Sequence, residues 1–276
     1  MTTRIVELRR GILKKNDELA AQLRQRYADA GVLVLNLVSS PGTGKTAFLE
    51  RTLTELRQRG LRVAALVGDL ETDNDARRLA ASGAPVRQIN THGICHLDAE
   101  MIGKHLDAWG ETGTEGRGTR DEERVDQGLR DAGTQGLETE GRETRDGERV
   151  HEGLRGAGTQ GLKGAGVKLD ALDILFIENV GNLVCPSSYD LGEKIRVALL
   201  SVTEGEDKPL KYPTMFNSAD VAVITKIDIA EPCGFNRQAA LDSLNQIRPG
   251  IRVFESSSKT GAGMEEWLEF LQQQVR

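Results

Sequence analysis

The chain has 276 residues, a formal net charge of −6, 38% hydrophobic residues and 31 glycines. That length allows one or two domains, and the negative balance speaks against a general nucleic-acid binder. No apolar run approaches the roughly 20 residues of a membrane span, the charged Met1–Arg10 segment lacks a signal-peptide core, and three widely spaced cysteines suggest no disulfide framework; a cytoplasmic protein with reduced thiols is expected.

Apolar residues at Ile5, Leu8, Ile12, Leu19 and Leu23 fall near helical spacing and predict a helix over Arg4–Asp29. Residues 1–30 thus read as an N-terminal packing or dimer helix ahead of the domain in 31–276. From Gly31 the pattern alternates. Strand Val32–Val38 is followed by helix Thr46–Arg59, which Gly60 stops. Strand Arg62–Val67, helix Ala76–Ser82, strand Val86–Asn90 and helix His96–Trp109 come next. Strands Asp173–Glu178, Ala219–Thr225 and Arg252–Glu255 follow, and helix Gly263–Val275 closes the chain. Such alternation implies an α/β fold, a mostly parallel sheet flanked by helices. Ligands bind such sheets beyond the carboxyl ends of the strands.

Residues 110–166 interrupt the pattern. They hold 15 of the 31 glycines, and Thr114–Leu137 matches Thr139–Leu162 at 19 of 24 positions. Two copies are too few for a solenoid, and so few apolar residues cannot offset the entropy of ordering. The composition predicts a low-complexity, largely disordered tandem-repeat insertion that the host domain tolerates.

Ser39-Ser40-Pro41-Gly42-Thr43-Gly44-Lys45-Thr46 lies between a predicted strand and a predicted helix. That context makes it a phosphate-binding P-loop, with Ser39 where the pattern has Gly. Gly42, Thr43, Gly44, Lys45, Thr46 and Ala47 are the expected phosphate cradle. Lys45 is expected on the β- and γ-phosphates and Thr46 on Mg²⁺. Thr225-Lys226-Ile227-Asp228 follows an apolar strand and is similar to the Asn-Lys-x-Asp element that selects guanine. An Asp there accepts both the N1 and N2 protons of guanine, which adenine lacks. Ser256-Ser257-Ser258-Lys259 resembles the Ser-Ala-Lys loop at guanine O6, with Ser257, Ser258 and Lys259 as candidates. Together these elements favour GTP/GDP over adenine nucleotides.

Glu178-Asn179-Val180-Gly181 is similar to an Asp-x-x-Gly switch, with Glu178 holding magnesium and Gly181 approaching the γ-phosphate. Asp69 is a second magnesium candidate, and Asp73 or Asp75 a water-positioning one, although Asp75 equally suits a helix cap. Lys45, Asp69, Asp75 and Glu178 form the expected catalytic set. Cys95-His96, read at a helix start, and Cys185 are types that Ni²⁺ or Zn²⁺ accept. Their spacing matches no zinc finger, and packing thiols remain the other reading. His92 reads as a surface residue, with an extra-ligand role as its other reading, His105 as a surface residue, and Cys233 as structural or incidental.

The P-loop, Gly68-Asp69-Leu70-Glu71-Thr72, Cys95-His96-Leu97-Asp98-Ala99 and Glu178-Asn179-Val180-Gly181-Asn182-Leu183-Val184-Cys185-Pro186 together resemble the hydrogenase nickel-incorporation GTPases, the HypB family. The resemblance covers about Gly31–Gln274 without the insertion, which departs from the family pattern. It implies that Cys95, His96 and Cys185 bind nickel or zinc at a nucleotide-dependent dimer interface. It also implies a GTPase that homodimerises when GTP-bound and delivers nickel with an accessory metallochaperone to a hydrogenase large-subunit precursor. No Cys or His precedes His92, so an N-terminal nickel store is not expected. Other readings stay open: a urease-type nickel accessory GTPase, for which Ser187 stands where Cys-Pro-His is the pattern; a non-catalytic nucleotide-stabilised scaffold; and an ATP-dependent metal carrier.

Overall fold

The computed structural model describes residues 2–69, 74–91, 93–111 and 166–275, with the side chains of 2–10, 69 and 111 left out. In chain order the helices and strands are α1 (Thr2–Ala30), β1 (Leu33–Val38), α2 (Lys45–Gln58), β2 (Val63–Asp69), α3 (Asn74–Ala80), β3 (Val86–Asn90) and α4 (Ala99–Glu111). Then come β4 (Ile174–Glu178), β5 (Ile195–Ser201), α5 (Lys208–Lys211), α6 (Pro213–Ser218), β6 (Val221–Thr225), α7 (Arg237–Ile247), β7 (Arg252–Ser256) and α8 (Met264–Val275).

The strands make one seven-stranded parallel sheet in the order β3-β2-β4-β1-β5-β6-β7. Successive side chains on a strand face opposite ways, and the core splits accordingly. Leu33, Leu35 and Leu37 of β1, Phe176 of β4 and Val197 of β5 pack under α2 and α8. On the other face Val34 and Leu175 meet α1 and α4, while Ala198, Leu200 and Ala222 meet α6 and α7. A parallel sheet covered on both faces explains why β1, β4, β5 and β6 are buried along their whole length. Phe48 of α2 sits 5.3 Å from Trp267 of α8, ring centre to ring centre, with no exposure. Phe48→Ala is expected to cost about 3–5 kcal/mol in urea unfolding.

β1 is the strand at which chain order reverses. The C-terminal ends of its neighbours stand in register: Leu37 beside Glu178, Ser201 beside Thr225, and Thr225 beside Ser256. The predicted motif residues Glu178, Thr225 and Ser256 therefore lie along one edge.

Several expectations are corrected. The fold adds β5, α5, α6 and α7 to the elements that the sequence pattern predicts. α4 begins at Ala99, so Cys95 and His96 lie in the loop ahead of it. Asp98 caps the helix by accepting the Met101 N–H at 2.8 Å. His105 is half-buried and accepts a hydrogen bond from Arg87 Nε at 3.3 Å. The repeat insertion, Asp73, His92 and His151 lie outside the described residues. The chain leaves α4 and returns close by, with the Val167 N–H donating to the Trp109 carbonyl at 3.1 Å. Among the described residues no helix is long and apolar enough to cross a membrane.

Candidate functional site

The loop after β1 turns on glycine. Gly42 and Gly44 have φ of 75° and 91°, a region that side chains disfavour. Gly44 begins α2 with backbone alone, and no side chain bonds the first helical N–H groups. Unsatisfied donors at the positive end of a helix dipole suit an anion.

Glu178, 1% exposed, ends β4 directly beside this loop. Its Oε1 accepts from Lys45 Nζ at 2.9 Å and from Thr46 Oγ1 at 2.7 Å. Its Oε2 is buried without a hydrogen-bond partner. A carboxylate oxygen with unused lone pairs beside a threonine hydroxyl is a hard-oxygen donor set that fits Mg²⁺. Gly181 lies against the P-loop, where an added Cβ would sit 3.3 Å from Pro41 Cα. Asp69 ends β2 at the same edge, and Asp75 sits in the first turn of α3.

The candidate base-selecting elements also converge here. Thr225 Oγ1 donates to the Thr43 carbonyl and Lys226 Nζ to the Gly42 carbonyl, each at 2.7 Å. Threonine in place of the usual Asn therefore still braces the P-loop. Asp228 Oδ1 accepts from Ser257 Oγ at 2.6 Å, joining the two predicted guanine motifs. Ala47, Ser258 and Lys259 line an adjoining cavity of about 610 Å³ with Arg51 and Arg78.

One cluster escaped the sequence reading. Glu204 accepts hydrogen bonds from Ser40 and from Thr43 of the P-loop and pairs with Lys208. Lys208 Nζ also donates to Ser40 Oγ at 2.7 Å. Ser201 N–H donates to Glu204 Oε2 at 2.9 Å, so the β5–α5 turn grips the P-loop from beneath. The bonds from this turn to Ser40 and Thr43 span more than 160 positions of sequence, and nothing local announces them.

The second cluster lies beyond Gly181. One ligand atom each from Cys95, His96 and Cys185 falls within 4.8 Å of the others. All three residues are half-buried, and the chain's three cysteines are thiols. Burial lowers the His96 pKa below its ordinary value, against a smaller opposing pull from Asp98. That burial favours the neutral ring, the form that ligates metal. Tyr189 stacks on His96 with ring centres 3.9 Å apart and planes 20° apart. Two thiols and an imidazole suit nickel or zinc. Cys233, by contrast, is exposed in the turn after β6, outside this cluster.

A buried amide spans the two clusters. Asn179, the residue after Glu178, has no exposure. Its Oδ1 accepts from the N–H of Leu97 at 3.1 Å and of Val180 at 3.0 Å. The neighbour of the P-loop acid thus holds the neighbour of His96.

Comparison with known proteins agrees with this geometry. The CobW/HypB/UreG nucleotide-binding domain profile matches residues 33–255. Hydrogenase maturation factor HypB of Cupriavidus necator is 44% identical over 270 residues, covering 97% of this chain and 69% of the relative. HypB of Azotobacter chroococcum is 38% identical over 274 residues, covering 99% and 70%. The crystal structure of HypB from Helicobacter pylori in complex with nickel superposes with a TM-score of 0.71 at 34% identity, covering 95% of each chain. The chain therefore belongs to the CobW/HypB/UreG family, and within it to the HypB hydrogenase maturation factors.

Proposed function

We propose that this chain is a GTPase that carries nickel, or zinc, as cargo and drives nickel insertion into a [NiFe]-hydrogenase precursor, its nucleotide state gating the metal cluster. One observation carries the reading. The continuous segment Glu178–Cys185 contacts Lys45 and Thr46 at one end and supplies a thiol to the metal cluster at the other. The nickel complex of the Helicobacter pylori relative supports the choice of cargo.

Each residue has a definable task. The α2 N-terminus and Lys45 neutralise the phosphates, and Gly181 offers its N–H to the γ-phosphate without a Cβ in the way. Thr46 and Glu178, with Asp69 nearby, would hold magnesium, which when bound offsets charge on the phosphate oxygens. Asp75 remains the candidate for orienting water, so that GTP and water give GDP and phosphate. No Gln or Arg finger stands in the switch segment, and slow intrinsic turnover follows. GTP repositions Gly181 against the P-loop, moves Cys185 with it, and pairs two subunits across the metal cluster. Ile94 and Val184, each just before a cysteine of the cluster, are 41% and 60% exposed. That apolar rim fits a subunit contact. The partners are an accessory nickel metallochaperone and a hydrogenase large-subunit precursor, in the cytoplasm. Residues 31–276 act as one GTPase domain interrupted at 110–166, with 1–30 as its leading helix.

Base selection provides the test. Asp228→Asn loses the acceptor for the two guanine protons, and its amide donates where guanine also donates. GTP affinity is expected to fall about 100-fold, about 2.7 kcal/mol, with ATP binding left as weak as before. Competition against a fluorescent GDP measures this. Equal loss of both nucleotides, or of neither, would reject the guanine assignment.

A further inference from the structure

From sequence α1 is a packing or dimer helix, yet one of its residues reaches both segments that carry the cysteine–histidine cluster. Asn16 is 5% exposed. Its Oδ1 accepts the Ala99 N–H at 2.9 Å, three residues beyond His96. Its Nδ2 donates to the Asp190 carbonyl at 2.8 Å, five residues beyond Cys185. Arg24, two turns along the same helix face, holds the Asp190 carboxylate at 2.6 and 2.8 Å. Gly192 presses against α1 so closely that a Cβ would lie 2.8 Å from the Ala20 carbonyl oxygen. Tyr189, adjacent to the doubly held Asp190, is the ring stacked on His96.

Asparagine is a weak helix former, and a buried amide is costly unless its hydrogen bonds are made. Here both ends of the amide are used, and both bonds tie α1 to chain segments that bear candidate ligands. None of them reaches the P-loop. We propose that Asn16 is a positioning residue for the metal cluster: it ties the Cys95–His96 segment and the segment following Cys185 to α1, so that α1 supports nickel affinity through contacts that do not touch the nucleotide site. The inference rests on Cys95, His96 and Cys185 being the ligands. Outer hydrogen bonds that orient ligands commonly account for 10–100-fold in metal affinity.

The experiment measures nickel affinity of the reduced full chain by competition with a chromophoric chelator, beside affinity for fluorescent GDP. The variants are Asn16→Asp, Asn16→Ala, Arg24→Ala and Cys185→Ala. Asn16→Asp keeps the shape and the acceptor for Ala99 but sets an oxygen against the Asp190 carbonyl. Both Asn16 variants are expected to lose about 10-fold or more in nickel affinity, with GDP affinity within about twofold of wild type. Their nickel–thiolate charge-transfer absorption should change shape as well as midpoint. Should Asn16→Ala not fold, Asn16→Asp and the exposed Arg24→Ala carry the same expectation, the latter with a smaller loss. Unchanged nickel affinity in the folded variants, while Cys185→Ala loses nickel, would overturn the inference alone. A parallel loss of nickel and GDP affinity would overturn it too, by making the helix a general support. If Cys185→Ala binds nickel like wild type, the ligand assignment fails and the inference with it.

Discussion

Lys45→Ala is expected to remove nucleotide binding and to destabilise the fold in the same stroke. The first effect follows from the loss of the one lysine in the phosphate cradle. Truncating one member of a buried charge pair costs about 2–5 kcal/mol in binding. A fall of about 10³-fold in GDP and GTP affinity, about 4 kcal/mol, is expected by calorimetric titration. The second effect is independent of nucleotide. Lys45 and Glu178 are paired at 2.9 Å with side chains 9% and 1% exposed. Removing the cation leaves a carboxylate buried beside only a threonine hydroxyl, at a cost of about 3–5 kcal/mol. Urea unfolding in nucleotide-free buffer measures that cost. Adding Glu178→Gln should recover part of the stability and none of the nucleotide affinity. A stable Lys45→Ala protein would show that water reaches Glu178 freely.

Cys185→Ala is expected to do the opposite, losing metal and keeping nucleotide. The three candidate ligand atoms lie within 4.8 Å of one another, close enough for one site; on the proposed assignment, deleting a thiolate should lower nickel affinity by more than about 100-fold, beyond what an outer hydrogen-bond partner contributes. GDP affinity should hold, because Cys185 lies four residues past Gly181, at the far end of the segment from Glu178 and its bonds to Lys45 and Thr46. Metal binding to thiols also releases protons. Proton release on nickel addition should therefore fall in the variant, and calorimetry in two buffers of different ionisation enthalpy reads it. Full nickel affinity in Cys185→Ala would place the metal elsewhere.

Some of this was legible in the sequence, for local reasons. A P-loop, a Thr-Lys-x-Asp element and a Glu-x-x-Gly element each need a strand just before them, and the strands are apolar runs. What parallel packing adds is register, which brings Glu178, Thr225 and Ser256 to one edge. β5 was hidden because Arg196 breaks its apolar run. In the fold that arginine is buried, neutralised by Glu193 and bonded to the carbonyls of Ser187 and Tyr189. α7 is amphipathic, with Ala240 and Leu244 buried against the sheet and Leu241 and Ile247 packed beside them, so its apolar spacing and the Asn236 cap were both usable signals. Helix α4 begins three residues after His96 because Asp98, not Cys95, caps it. Asn16, Asn179, Glu204 and Lys208 had no local signature. Each acts through partners more than 80 positions away, apart from the Glu204–Lys208 pair, Glu204's bond from Ser201 and Asn179's bond from its neighbour Val180.

The central claim is that the Glu178–Cys185 segment couples nucleotide to metal, and linkage makes any such coupling reciprocal. The most direct test titrates the reduced protein with Ni²⁺ anaerobically, once with GDP and once with a non-hydrolysable GTP analogue, while subunit mass is followed by light scattering. The account predicts nickel affinities that differ by about 10-fold or more, about 1.4 kcal/mol of coupling, with dimer appearing in the GTP-analogue sample. Identical affinities and an unchanged monomer would contradict it, leaving a nucleotide site and a metal cluster on one chain that do not communicate.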